Sequence, residues 1–171
     1  MRQNQYLHLD HAHPNRTSEA HVSDNYLRLI PTDPTWSPAS GAVQRAIGTL
    51  SLLVPGADRV KAELHDEVTF IDQGANFEKL SCPACRAELD LDWWSDRMGL
   101  AADAAFTNLN VTTPCCHTQT SLNDLTYDWP AGFAQTELSV LNPQRGWLNE
   151  AELTQVAVEL GHPLRQVMAH Y

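Results

Sequence analysis

Apolar and polar residues alternate from the first ordered stretch of the chain, "NYLRLIPTDP". Leu27 and Leu29 flank Arg28, the period-two pattern of a half-buried strand, and Pro31 ends it. The period then changes. Val43, Ile47, Leu50 and Val54 recur at helical spacing, with Ser37 as the expected cap and Pro38 at the first helical position. "VPGAD" stops this helix. Val60, Ala62 and Leu64 alternate with Arg59, Lys61 and Glu63, so a second strand follows. "EVTFI" either continues it or returns beside it.

The same order recurs near the C-terminus. "FAQTELSVLNP" reads as a strand, and "WLNEAELTQVAVELGHP" is the best-marked helix of the chain. Asn149 and Glu152 have capping-box spacing, and Leu148 and Leu153 occupy the hydrophobic-staple positions. Leu153, Val156, Ala157 and Leu160 form its apolar stripe, and Gly161 ends it. "PLRQVMAHY" closes the chain as a strand. The pattern strand–helix–strand, twice, predicts an α+β fold, a ferredoxin-like βαβ–βαβ sandwich. Between its halves, at about residues 76–129, lies an inserted cysteine module. It contains one further helix, with Asp90 as cap and Leu91, Trp94, Met98, Ala102 and Ala105 along one face.

Residues 1–23 are polar and lack an apolar period. They are read as a disordered leader, leaving residues 24–171 as one domain. The leader carries His8, His11, His13 and His21, and a solvated tail is favoured over a metal-binding one. It has no apolar core or small-residue cleavage site of a signal peptide. The longest strongly apolar run, "LSLLV", falls far short of the ~20 residues that span a bilayer. A cytoplasmic location is expected, and there thiols stay reduced. The net charge of −10 repels phosphate backbones and argues against nucleic acid as a partner.

That charge and location direct attention to the cysteines. All four lie in two short stretches, "SCPACRA" and "TTPCCHTQ". Cys82 and Cys85 have the C-x2-C spacing of a zinc knuckle. Cys115 and Cys116 are adjacent, and neighbouring side chains of an extended strand point to opposite faces. Both can reach one metal only if the backbone turns, and Pro114 breaks the strand there. Three readings follow. Four cysteines bind zinc. Three cysteines and His117 bind it. Or "CPAC" is a redox dithiol before a helix, as in glutaredoxins, a reading that leaves the adjacent pair unexplained.

"LRLIPTDP", "SCPAC", "ELDLDWW", "TTPCCHTQTSLNDLTYDWPAGFA", "VLNP" and "LGHPLRQVMAHY" together resemble a family of uncharacterised bacterial zinc-ribbon proteins. The resemblance spans about residues 26–171. Some members carry the label of a sugar transporter ATPase, yet this chain has no G-x-x-x-x-G-K-[ST]. Glycine often stands in that family where His117 stands here. The resemblance therefore implies Cys82, Cys85, Cys115 and Cys116 as ligands of one structural Zn2+, with His117 as a neighbour. Four thiolates leave no open position for water or substrate.

Other candidates carry less. His65, Asp66 and Glu67 offer acid–base groups, but a polar turn between strands accounts for them. His162 and His170 read as strand-end histidines. Trp93, Trp94, Tyr127 and Trp129 surround the cysteines, as a small core or as a partner surface. Trp93 falls off the apolar stripe and is the expected exposed anchor for a protein partner. With no catalytic motif in view, the expected function is a non-catalytic, protein-binding or regulatory zinc protein. An acidic inhibitor or immunity-type protein is one form of it. A thiol-disulfide oxidoreductase and a nucleic-acid-binding ribbon are the alternatives.

Overall fold

A computed structural model describes residues 23–171. The leader reading, and its four histidines, lie outside those residues except at Ser23. In chain order the elements are β1 (Asn25–Pro31), α1 (Ala42–Leu53), β2 (Arg59–Ile71), β3 (Leu80–Ser81), α2 (Leu91–Asp103), β4 (Asn110–Thr112), β5 (Gln119–Ser121), β6 (Thr126–Tyr127), β7 (Gly132–Leu141), α3 (Glu150–Leu160) and β8 (Leu164–His170). The fold is mixed α+β. Its main sheet has the order β2-β7-β1-β8, with every neighbouring pair antiparallel.

Alternation divides this sheet into two faces. Leu27, Leu29, Leu138 and Val140 point to the helices and pack with Ala46 and Leu50 of α1 and Val156 and Leu160 of α3. Each such side chain, fully withdrawn from water, contributes about 1.5–3 kcal/mol of transfer free energy for the larger aliphatics. The other face carries Arg28, Glu63, Glu137 and Ser139, at alternate positions of the same strands.

Local signals set both ends of α3 and the start of α2. The Asn149 side chain accepts from the Glu152 amide while the Glu152 carboxylate accepts from the Asn149 amide, a complete capping box. Gly161 ends α3 in the left-handed region at φ 100°. Asp90 caps α2 by accepting from the Trp93 amide. "EVTFI" continues β2 past an irregularity between Leu64 and Thr69.

Two expectations are corrected. Ser37 and Pro38 do not open α1, which starts at Ala42 after Gly41, with no side-chain cap. The preceding segment is held elsewhere, because the Trp36 ring stacks on His162 at 5.0 Å. On α2, Leu91 is exposed and Ala101 rather than Ala102 is buried. The helix lies with Trp94, Met98 and Ala101 towards the core.

Residues 72–131 connect β2 to β7 and contain the cysteines. They pack against the end of the main sheet through a second cluster that joins Leu80, Leu89, Leu122 and Tyr127 to Val68 and Phe133. Asn123 fastens this arm. Its side chain accepts from the Phe133 amide at 3.0 Å and donates to the Thr32 carbonyl at 3.2 Å. Arg165 of β8 donates to the Asn123 and Ala131 carbonyls at 2.7 and 2.9 Å. A Cβ on Gly132 would meet the ends of the Arg165 and Ile30 side chains, both at 2.9 Å, so a larger residue there must displace them.

Candidate metal centre

The four cysteines sit on two tight turns. In the first, the Cys82 amide donates to the Ala87 carbonyl and the Arg86 amide to the Cys82 carbonyl, both at 2.9 Å. In the second, the Thr113 amide donates to the Thr118 carbonyl and the His117 amide to the Thr113 carbonyl, both at 3.0 Å. Arg86 and His117 close the turns in the left-handed region, at φ 63° and 56°. The β4–β5 pair presents the second turn, and β3 leads into the first. The chain thus turns at Pro114, and the adjacent cysteines are no longer splayed by a strand.

All four sulfurs lie within 4.8 Å of one another. Cys82 and Cys116 are 3.6 Å apart, Cys85 and Cys115 3.3 Å, and Cys115 and Cys116 4.0 Å. A tetrahedral ion with metal–sulfur bonds of about 2.3 Å places its sulfurs about 3.8 Å apart. The separations straddle that value, so this donor set is compatible with a bound metal ion such as zinc. Cys82 is buried, and the other three cysteines are exposed.

Polar neighbours distribute charge unequally over the thiols. The Thr118 hydroxyl, then the Thr113 hydroxyl, hold the Cys116 thiol down to about 6. The amide of Cys85, directed at the Cys82 sulfur, lowers that thiol too, against its burial. At Cys85 the Ala87 amide also lowers the pKa, but Cys115, burial and the other thiols outweigh it and push the group up to about 12. Four thiols in this space do not ionise together without a cation between them.

His117 is exposed and stands outside the sulfur group. Trp94 belongs to an aromatic cluster. Its ring lies 4.9 Å from Phe77, and its Nε1 donates to the Tyr127 hydroxyl at 3.3 Å. Tyr127 in turn donates to the Leu122 carbonyl at 2.9 Å. Trp93, expected at the surface, is half-buried against the same cluster. Trp129 pairs with Trp147 at 6.1 Å. His162 and His170 make ordinary contacts, with the Thr32 hydroxyl at 3.3 Å and the Asn25 side chain at 2.9 Å.

His65, Asp66 and Glu67 do not converge. Asp66 uses its carbonyl to accept from Gln135 at 3.2 Å. His65 instead meets Glu63 and Glu137, whose ligand atoms lie within 4.8 Å of its own. Sequence reasoning missed Glu137, because nothing local marks a carboxylate in a buried strand. It also missed Thr113 and Thr118. A signal for Thr113 was present, since "TPCC" repeats the proline and the second cysteine of "CPAC".

No helix among the described residues is long and apolar enough to cross a membrane. No protein-family model, curated protein or solved structure matches the chain.

Proposed function

We propose that this chain is a zinc-stabilised, non-catalytic interaction module, a ferredoxin-like sandwich that carries a zinc-ribbon arm. The observation behind it is the set of four sulfurs within 4.8 Å. Soft thiolates favour zinc, and four of them fill a tetrahedron and leave no place for water or substrate. The strand order β2-β7-β1-β8, with antiparallel neighbours and a helix in each connection β1–β2 and β7–β8, supports the ferredoxin-like description. Two hydrogen-bonded turns, each followed or preceded by short paired strands, support the ribbon. The sequence resemblance to bacterial zinc-ribbon proteins points the same way.

The metal joins two turns separated by 29 residues, so its binding energy is folding energy for the arm. The partner is a basic or neutral protein, by the net charge of −10. It is engaged on the arm, where Trp93 keeps part of its surface in water. An inhibitor or immunity-type role fits these properties.

Elemental analysis of protein purified without chelator, followed by capture of partners from the native cell, tests the reading. One zinc per chain and capture weakened by Trp93→Ala are expected. A chain without metal that turns over a disulfide substrate, and loses this on Cys82→Ser, would establish the oxidoreductase alternative instead.

A further inference from the structure

We propose that the sheet face turned away from the helices holds a second divalent metal site, made by Glu63, His65 and Glu137. It shares no residue with the four-cysteine centre. Glu63 on β2 lies directly opposite Glu137 on β7, and His65, two residues along where the register begins to shift, brings its Nε2 to Glu137. One ligand atom of each lies within 4.8 Å of the other two.

Carboxylates directly opposite one another on a sheet repel, and this pair is partly dry, with the Glu137 side chain only 5% exposed. Burial pushes the Glu137 carboxyl above its ordinary range, against the pull of Arg28, and Glu63 adds to the rise. Two cations compensate part of the cost. Arg28 Nε holds Glu137 Oε1 at 3.1 Å, and Lys61 Nζ holds Glu63 Oε1 at 2.6 Å. Each ion pair engages one oxygen of its carboxylate and leaves the second for another partner.

The second oxygen of Glu137 faces His65. Its Oε2 lies 3.6 Å from His65 Nε2. That nitrogen is buried and has no hydrogen-bond partner. A hydrogen bond to nitrogen spans about 2.7–3.2 Å, so the gap is too wide for one. Two ligands of a tetrahedral ion, each bonded at about 2.0–2.2 Å, stand about 3.4 Å apart. The observed gap is close to that spacing. The imidazole nitrogen, which makes no hydrogen bond, and the two half-committed carboxylates supply three donor atoms within reach of one ion.

One nitrogen and two oxygens select a first-row divalent ion, such as zinc, cobalt or manganese. Calcium and magnesium prefer shells of oxygen alone. Arg28 and Lys61 already offset both carboxylates, so coordination bonds rather than net charge must supply the affinity. The site is therefore weaker than the thiolate centre. Three protein ligands leave a further position for water.

The test uses the full chain, loaded first with one equivalent of zinc. Cobalt is then titrated in and followed by absorption. A second equivalent is expected, with weak ligand-field bands and no sulfur-to-cobalt charge transfer. His65→Ala and Glu63→Gln should each weaken it at least tenfold and leave the zinc in place. Glu137 is buried, so the two more exposed positions carry the test. No second equivalent, or a charge-transfer band on it, overturns the assignment. Binding that survives both substitutions belongs to other histidines of the chain and overturns it equally. The four-cysteine reading fails separately, by loss of the first equivalent, and the dependence on His65 is then read in a Cys82→Ser chain.

Discussion

Thr113 holds in the second turn the place that Cys82 holds in the first. Each donates its amide five residues ahead and accepts, through its carbonyl, from the amide four residues ahead. Cys116 therefore corresponds to Cys85, and the remaining sulfur comes from Cys115, where the first turn has Ala84. The Thr113 hydroxyl is buried among its neighbours, 3.6 Å from the Cys116 sulfur and 3.8 Å from that of Cys82.

This hydroxyl positions sulfur rather than binding metal. Thr113→Val should keep one metal per chain and lower stability by about 1 kcal/mol, the usual net worth of such a bond. Denaturant unfolding of the metal-loaded protein measures the loss. A variant that cannot retain the metal would make Thr113 part of the coordination itself.

His117 closes its turn at φ 56°, where glycine is freest. Its role is in the backbone of the turn, so His117→Gly should bind metal unchanged. Relief of left-handed strain and the added freedom of the unfolded chain oppose one another, each on the order of 1 kcal/mol. Stability should thus stay within about 1 kcal/mol of the parent. A large fall in metal affinity would instead make the imidazole a ligand.

Much of this was legible where the cause is local. The capping box of Asn149 and Glu152 and the stop at Gly161 bound α3 as their spacing predicts. The alternation around Arg28 marks β1, and the C-x2-C spacing marks the first turn. What escaped is set by distant partners. Ser37 and Pro38 look like a helix start, but Trp36 stacks on His162, more than a hundred residues away, and α1 begins later. Leu91 fits an apolar stripe by spacing, yet the arm leaves it in water. Glu137 meets His65 only because β7 pairs with β2.

Trp94 and Trp93 are adjacent but unequal. Trp94 packs between Phe70, Phe77 and Tyr127 and donates a hydrogen bond, so Trp94→Ala should cost about 3 kcal/mol, as large-to-small core changes do. Trp93→Ala should cost distinctly less. Thermal or denaturant unfolding of both variants checks the order. Equal losses would show that Trp93 is core and unsuited to meeting a partner.

Acid should act on the start of α3. Arg145, followed by the Asn149 amide, holds the Glu152 carboxyl below its ordinary 4.5. A lowered folded pKa contributes stability that is complete above the unfolded value and is lost as pH falls through the folded one. Glu152→Gln keeps the cap geometry and removes the charge. Its deficit should be largest at neutral pH and vanish in strong acid, whereas Asn149→Ala should cost about 1 kcal/mol through the lost cap. Unfolding curves across pH separate the two. A Glu152→Gln deficit independent of pH would contradict the charge argument.

A closed centre of four thiolates, from Cys82, Cys85, Cys115 and Cys116, has a definite signature in X-ray absorption at the zinc edge, on protein carrying one equivalent of zinc. Four sulfur neighbours at about 2.3 Å are expected, with no nitrogen or oxygen bound to the metal. Three sulfurs and one nitrogen, with the nitrogen lost on His117→Ala, would contradict it.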